Sequence, residues 1–266
     1  MSRLCALSLQ LLTSVFVFLL VYRASAQTQL SYAPDQSWGV FAEYSPSSSH
    51  IILGSARERE FTAIGLAYTH VMLRRQHWDL NYLFEVRPLM WESDPVTTGY
   101  RLDLDLPGSG HQSITKYYRR PIPVLEVHPA RQLLYKFSQN GQTYLGYKTT
   151  FYSRRWTYVG GMSPIGVKLN LLRQHRLQPT FQLTGGFAAS ARDVPMFHTS
   201  AGNLTFSFGS GLELFKRSGR ALRLQYRIQH FSNADVGKDP GIDSQMIYAG
   251  YSWGQRLLSP FHHHSK

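Results

Sequence analysis

Cysteine is nearly missing from this chain of 266 residues: Cys5 is the only one, and it lies in the first few residues. The remainder therefore offers neither a disulfide framework nor a thiol nucleophile. Charge is also sparse, at 17% of residues, and acids are in the minority, 16 Asp and Glu against 28 Lys and Arg. Apart from the N-terminal end, no uncharged apolar run approaches the roughly 20 residues that a membrane-spanning helix requires. With a mean hydropathy of -0.26, a polytopic helical bundle is excluded. Disorder is excluded as well, because 43% of the residues are hydrophobic and 14% aromatic. No Gly-rich phosphate loop and no His/Asp/Glu spacing of a zinc site occurs, so no cofactor or metal is expected.

The N-terminus indicates a compartment. Arg3 precedes an apolar run from Leu4 to Tyr22, and Ala24-Ser25-Ala26 supplies small residues before Gln27, the pattern of a secretory signal peptide over residues 1–26. Removing those 26 residues, two of them arginines, leaves 240 residues with a formal charge of +10. A retained membrane anchor is the other reading of that segment. An excess of +12 with a pI of 9.9 would ordinarily suggest nucleic acid or anionic lipid as partner, and export argues against nucleic acid.

Past the signal, hydrophobicity alternates with period two. Trp78, Leu80, Tyr82, Phe84 and Val86 oppose Asp79, Asn81, Glu85 and Arg87, and Leu204, Phe206, Phe208, Leu212 and Leu214 oppose Asn203, Thr205, Ser207 and Glu213. About eight such segments occur, near 37–45, 60–74, 78–90, 156–172, 176–190, 203–216, 220–232 and 243–253. Val159 is grouped here with Ile165, Val167 and Leu169 on one face. The connections alternate between tight (Arg75-Gln76-His77, Arg173-Gln174-His175, Arg217-Ser218-Gly219) and longer. The expectation is all-β: an eight-stranded antiparallel transmembrane β-barrel over 27–253, with short periplasmic turns and long outer loops. A soluble sandwich or lipocalin-like barrel alternates too, with its apolar face inside. Residues 91–155 form a long outer insertion, too long to be structureless, so strands extended above the membrane or a capping hairpin are expected there. It carries a basic cluster, Lys116, Arg119 and Arg120, suited to anionic phosphates. Residues 254–266, with His262-His263-His264, read as a C-terminal tail. Arg223, Arg227, Glu85, Arg87, Asp79 and Glu213 read as an ion-pair network in the lumen.

On the seventh segment Leu222, Leu224, Tyr226 and Ile228 share the lipid-facing parity, and extending it outward reaches His230 and Ser232. On the eighth, the parity of Ile247, Ala249, Tyr251 and Trp253 extends back to Asp243. A histidine, a serine and an acid thus meet at the outer rim, either as the first solvated residues above the apolar band or as a catalytic group. Residues i and i+2 of a strand lie about 6.6 Å apart on one face, near enough for imidazole and hydroxyl to meet. In such a trio histidine takes the serine proton and the acid orients the imidazole. Gly250-Tyr251-Ser252-Trp253-Gly254 matches G-x-S-x-G but lacks the helix that a nucleophile elbow requires.

The run His230-Phe231-Ser232-Asn233-Ala234, with Asp239-Pro240-Gly241-Ile242-Asp243 and Tyr248-Ala249-Gly250-Tyr251-Ser252-Trp253, resembles the C-terminal end of the lipid A 3-O-deacylase (PagL) family of outer-membrane hydrolases. The resemblance implies an eight-stranded barrel with a His-x-Ser pair and an acid on its outer surface. It also implies cofactor-independent removal of an ester-linked acyl chain from lipid A, with lipopolysaccharide in the outer membrane as substrate. Carried over, Ser232 is the nucleophile, His230 the general base and Asp243 the acid, a shorter carboxylate than the Glu of the family. Asn233 becomes an oxyanion candidate; independently of the resemblance, the positive charge of Lys116, Arg119 and Arg120 makes them substrate-binding candidates for lipid A phosphates. A non-catalytic barrel for binding, adhesion or solute passage is the other function class.

Overall fold

The computed structural model describes residues 32–194, 200–216, 219–233 and 241–255. The leader, the His262-His263-His264 tail and residues 234–240, with Ala234, Asp239 and Pro240 among them, lie outside the described residues. Among the described residues there are ten strands: β1 (Gln36–Ser45), β2 (Glu60–Arg74), β3 (Trp78–Leu106), β4 (Gly110–Pro123), β5 (Arg131–Gln139), β6 (Gln142–Leu171), β7 (Leu177–Val194), β8 (Ser200–Phe215), β9 (Arg220–Ser232) and β10 (Ile242–Gln255). Eight of them close a ring. β1 pairs with β2 and with β10, β3 pairs with both β2 and β6, and β6 to β10 follow in order, every pairing antiparallel. Among the described residues there is no helix.

The direction of the alternation identifies the solvent. Along β9, Leu222 and Leu224 are exposed, the latter by 60%, while Arg223 and Arg227 between and beyond them are buried, Arg227 completely. β7 and β8 repeat this, with Phe181, Leu183, Leu204 and Phe208 outside and Gln182, Thr184, Asn203 and Ser207 inside. A soluble barrel has the opposite arrangement, so that alternative is set aside: an apolar exterior around a polar lumen is the outer-membrane type. A closed ring leaves no unpaired strand edge in hydrocarbon, which is why only a closed sheet can cross with strands.

The lumen is filled rather than open. Arg227 spans Glu43 at 2.7 Å and Glu85 at 2.8 Å, and Arg87 meets the same two carboxylates at 2.8 and 2.9 Å. A second cluster joins Glu213 to Arg223 at 2.5 Å and to Lys168 at 3.1 Å, and Asp79 is met by Arg74 at 3.2 Å. The Tyr248 ring lies under Arg227, with its centroid 3.8 Å from the guanidinium carbon. All six expected residues are paired, in three separate groups, with Glu43, Lys168 and Arg74 as further partners.

At the outer end the lumen turns apolar. Phe61, Met90, Val159, Val194, Phe231, Ile242 and Met246 pack into a plug, with Phe61 stacked on Phe231 at 4.9 Å. Val159 differs from the sequence reading, which placed it with Ile165 on the outer face. The β6–β7 register shifts between Met162 and Ile165, and this bulge reverses the parity, so Val159 points inward and Ile165 outward.

The insertion is built by the strands themselves. β3 and β6, at 29 and 30 residues, continue past the wall. There they acquire β4 and β5 as outer neighbours in the order β4-β3-β6-β5. Asn140 and Gly141 turn β5 into β6 with φ of 53° and 75°, the two positive values that a tight hairpin requires.

Candidate functional site

His230 and Asp243 are direct cross-strand partners on β9 and β10. Both continue the lipid-facing parity of their strands, His230 one alternate position beyond Ile228 on β9 and Asp243 two beyond Ile247 on β10, with Gln245 between. The pair therefore lies at the end of the wall where β9 finishes and β10 begins, next to the β1–β2 loop. His230 Nδ1 lies 2.6 Å from Asp243 Oδ1. With the ionised carboxylate as acceptor, Nδ1 is the donor and Nε2 is left as the basic nitrogen. Ser232 lies two residues further along β9 on the same face, half-buried, and beneath them Phe231 points into the plug.

Asp243 is buried although its parity points outward, because the β1–β2 loop folds back over it. Its Oδ2 accepts four backbone N–H groups, from Ile51 at 2.9 Å, Ile52 at 2.6 Å, Leu53 at 3.1 Å and Gly54 at 3.0 Å. The loop is fixed from both sides. Ser49 N–H donates to Asp243 O at 3.0 Å, Ala56 N–H to Gly241 O at 3.1 Å, and Gln245, itself held by Tyr226 Oη, donates to Ser49 Oγ at 3.0 Å. Burial by itself raises the Asp243 carboxyl. The N–H groups of Ile52, Ile51 and Gly54 and the His230 imidazole outweigh it and hold the group below its ordinary value.

Two glycines allow this fit. A Cβ on Gly54 would stand 2.5 Å from the Asp243 nitrogen, so only glycine permits the loop so close. Gly241, at φ +54°, lies against the imidazole, 3.1 Å from His230 Cε1 to where a Cβ would be. The loop holds the shorter aspartate within reach of His230, and its four N–H groups are committed to that carboxylate. The nest is therefore a support for the acid and supplies no donor to a substrate oxyanion. Sequence reading missed it, since backbone donors have no side-chain pattern; Gly54 after Ile51-Ile52-Leu53 was the one residue that could have hinted at a close approach.

The other expected residues are placed as follows. Asn233 is buried just past the end of β9. Lys116, Arg119 and Arg120 lie on β4, exposed, in the sheet that grows from β3 and β6. In the ring order β3 and β6 are each three or four strands away from β9 and β10, on the opposite side of the barrel. Ser252 of the G-x-S-x-G match is buried, facing the lumen at the inner end of β10. Among the described residues, no group of three or more His, Cys, Asp and Glu is placed to hold a metal ion.

A scan against family models matches residues 125–252 to "Lipid A 3-O-deacylase (PagL)". No curated protein matches the chain. Among solved structures, the crystal structure of the outer membrane enzyme PagL is similar at 11% identity and a TM-score of 0.46, over 80% of this chain and 97% of that one. Neisserial surface protein A (NspA) is similar at 10% identity and a TM-score of 0.40, over 82% of this chain and 96% of its own. The family match takes in the paired His230 and Asp243 and all of β6 to β9, so residues 125–252 of this chain are similar to the lipid A 3-O-deacylase (PagL) family.

Proposed function

We propose that this protein is an outer-membrane hydrolase that cleaves an ester-linked acyl chain from lipid A at the outer rim of its barrel, with Ser232, His230 and Asp243 as the catalytic group. The observation that carries this reading is the His230–Asp243 contact of 2.6 Å on the outward face, where a lipid and not the lumen meets it.

The chemistry follows from the arrangement. Ser232 Oγ attacks the acyl carbonyl while His230 Nε2 takes its proton, and Asp243 stabilises the imidazolium formed. The tetrahedral intermediate collapses, the sugar oxygen leaves with the proton from His230, and the acyl group remains esterified to Ser232. Water, deprotonated by the same histidine, then releases the fatty acid and regenerates the serine. Asn233, next to the nucleophile, is the oxyanion donor in this mechanism. No cofactor enters any step.

Mass spectrometry of lipid A from cells producing the wild type or Ser232→Ala tests this. The wild type should give lipid A lacking one acyl chain and the variant should not. An unchanged acyl count with correctly inserted wild-type protein would leave a non-catalytic barrel in its place.

A further inference from the structure

The sheet β4-β3-β6-β5 segregates its charges by face. Cross-strand partners share a face, so Tyr100, Lys116 and Thr150 lie together, as do Leu102, Ile114 and Lys148, then Leu104 with Gln112, and Lys148 with Gln132. Tyr144 and Phe137 continue this face, stacked at 5.1 Å, with Tyr135 5.7 Å from Phe137 and Tyr118 6.1 Å from Tyr100. Lys148 Nζ stands 5.4 Å over the Tyr100 ring. No acid occurs on this face among these residues. The acids Asp103 and Asp105 are on the other face, engaged there by Arg101 at 3.1 Å, Ser113 at 2.8 Å and His111 at 2.8 Å.

The aromatic, cationic face also has a direction. On β6 the pairing runs without a bulge on that strand from Tyr144 to Val159. Even-numbered residues therefore keep one side throughout, and this side ends in the exposed Trp156 and Tyr158, whereas Thr157 and Val159 are buried. The face of Tyr144, Lys148 and Thr150 is thus the upward continuation of the lipid-facing wall, and the acid-bearing face continues the lumen. It looks sideways, above the membrane, at the headgroup layer of the lipids around the barrel, and it belongs to the wall opposite His230 and Asp243.

We propose that this face binds the phosphorylated saccharide of a neighbouring lipopolysaccharide molecule, at a site separate from the catalytic rim. Aromatic rings present flat surfaces to the C–H faces of sugar rings, and Lys116 and Lys148, with no acid on their face, are matched by phosphate. The position beside the outer leaflet rests on the outer-membrane reading; binding itself does not depend on Ser232.

The test uses the purified full chain in detergent and the water-soluble phosphorylated oligosaccharide freed of lipid A. Calorimetry should show binding by the wild type and equally by Ser232→Ala. Binding should weaken roughly tenfold or more when the oligosaccharide is dephosphorylated, and similarly for Lys116→Glu with Lys148→Glu, since charge complementarity supplies much of the contact. Arg101→Glu, on the opposite face, should leave it unchanged. No binding, equal binding of the dephosphorylated oligosaccharide, or equal loss in Arg101→Glu would overturn the proposal. The dephosphorylation arm needs no variant and so survives any failure of the double variant to fold. Binding without deacylation would overturn the hydrolase and keep this site; deacylation without binding would do the reverse.

Discussion

Two carboxylates of this barrel, Glu85 in the lumen and Asp243 at the rim, are both fully buried, and they are satisfied in opposite ways. Glu85 is matched by permanent cations, Arg87 and Arg227, whose charges persist at every working pH. Asp243 is matched by four backbone N–H groups and by a histidine. The lumen pairs neutralise one another and hold strands together. The Asp243 pairing instead joins the carboxylate to backbone and to one imidazole, the arrangement that the proposed mechanism uses.

Breaking the rim partner should have the larger effect on turnover. Asp243→Asn keeps the shape but removes the charge that stabilises the imidazolium, and the equivalent change in serine hydrolases lowers kcat by about 10⁴. Deacylation of purified lipid A should fall by that order while the heat-modifiable mobility of the folded barrel stays unchanged; a loss of the folded form would make the residue structural. Breaking the lumen partner should do the reverse. Glu85→Ala leaves Arg87 and Arg227 undercompensated in a dry interior, a loss of about 3–5 kcal/mol. Urea unfolding followed by tryptophan fluorescence should show it, with activity per folded molecule preserved.

Gly54→Ala separates support from chemistry. Its Cβ would push the loop off Asp243, and a displacement of about 1 Å in such a group can cost about 10²-fold in rate. An unchanged kcat would show that the nest does not position the acid. The smallest effect expected is on pH. The Asp243 carboxyl is held below its ordinary value, so its contribution to stability is complete above the ordinary carboxylate range and is lost as pH falls through the lowered value. Protease cleavage of the β1–β2 loop should therefore rise only in acid below that range. Asp243→Asn should be cleaved readily at every pH tested.

Much of this contrast was legible in the sequence. Strict alternation in Arg223-Leu224-Gln225-Tyr226-Arg227 determined strand, face and lumen charge together, because a wall with lipid on one side permits no slip of parity. The pairing of His230 with Asp243 followed from the same parity. What escaped has identifiable causes. Val159 was misplaced because a bulge near Pro164 reverses the phase without altering composition. β4 and β5, expected only as strands or a hairpin somewhere in 91–155, were not placed because both are exposed at nearly every position and so carry no buried face to mark them. The nest over Asp243 is made of backbone, which no residue pattern encodes.

The proposed use of His230 and Ser232 on the outward face of β9 has a kinetic consequence. On that proposal a lipid substrate arrives by lateral diffusion within one leaflet, so the relevant concentration is its mole fraction among the surrounding lipids. Adding inert lipid or detergent at constant total lipid A should therefore slow the reaction, and a saturation constant for this protein belongs in units of surface density.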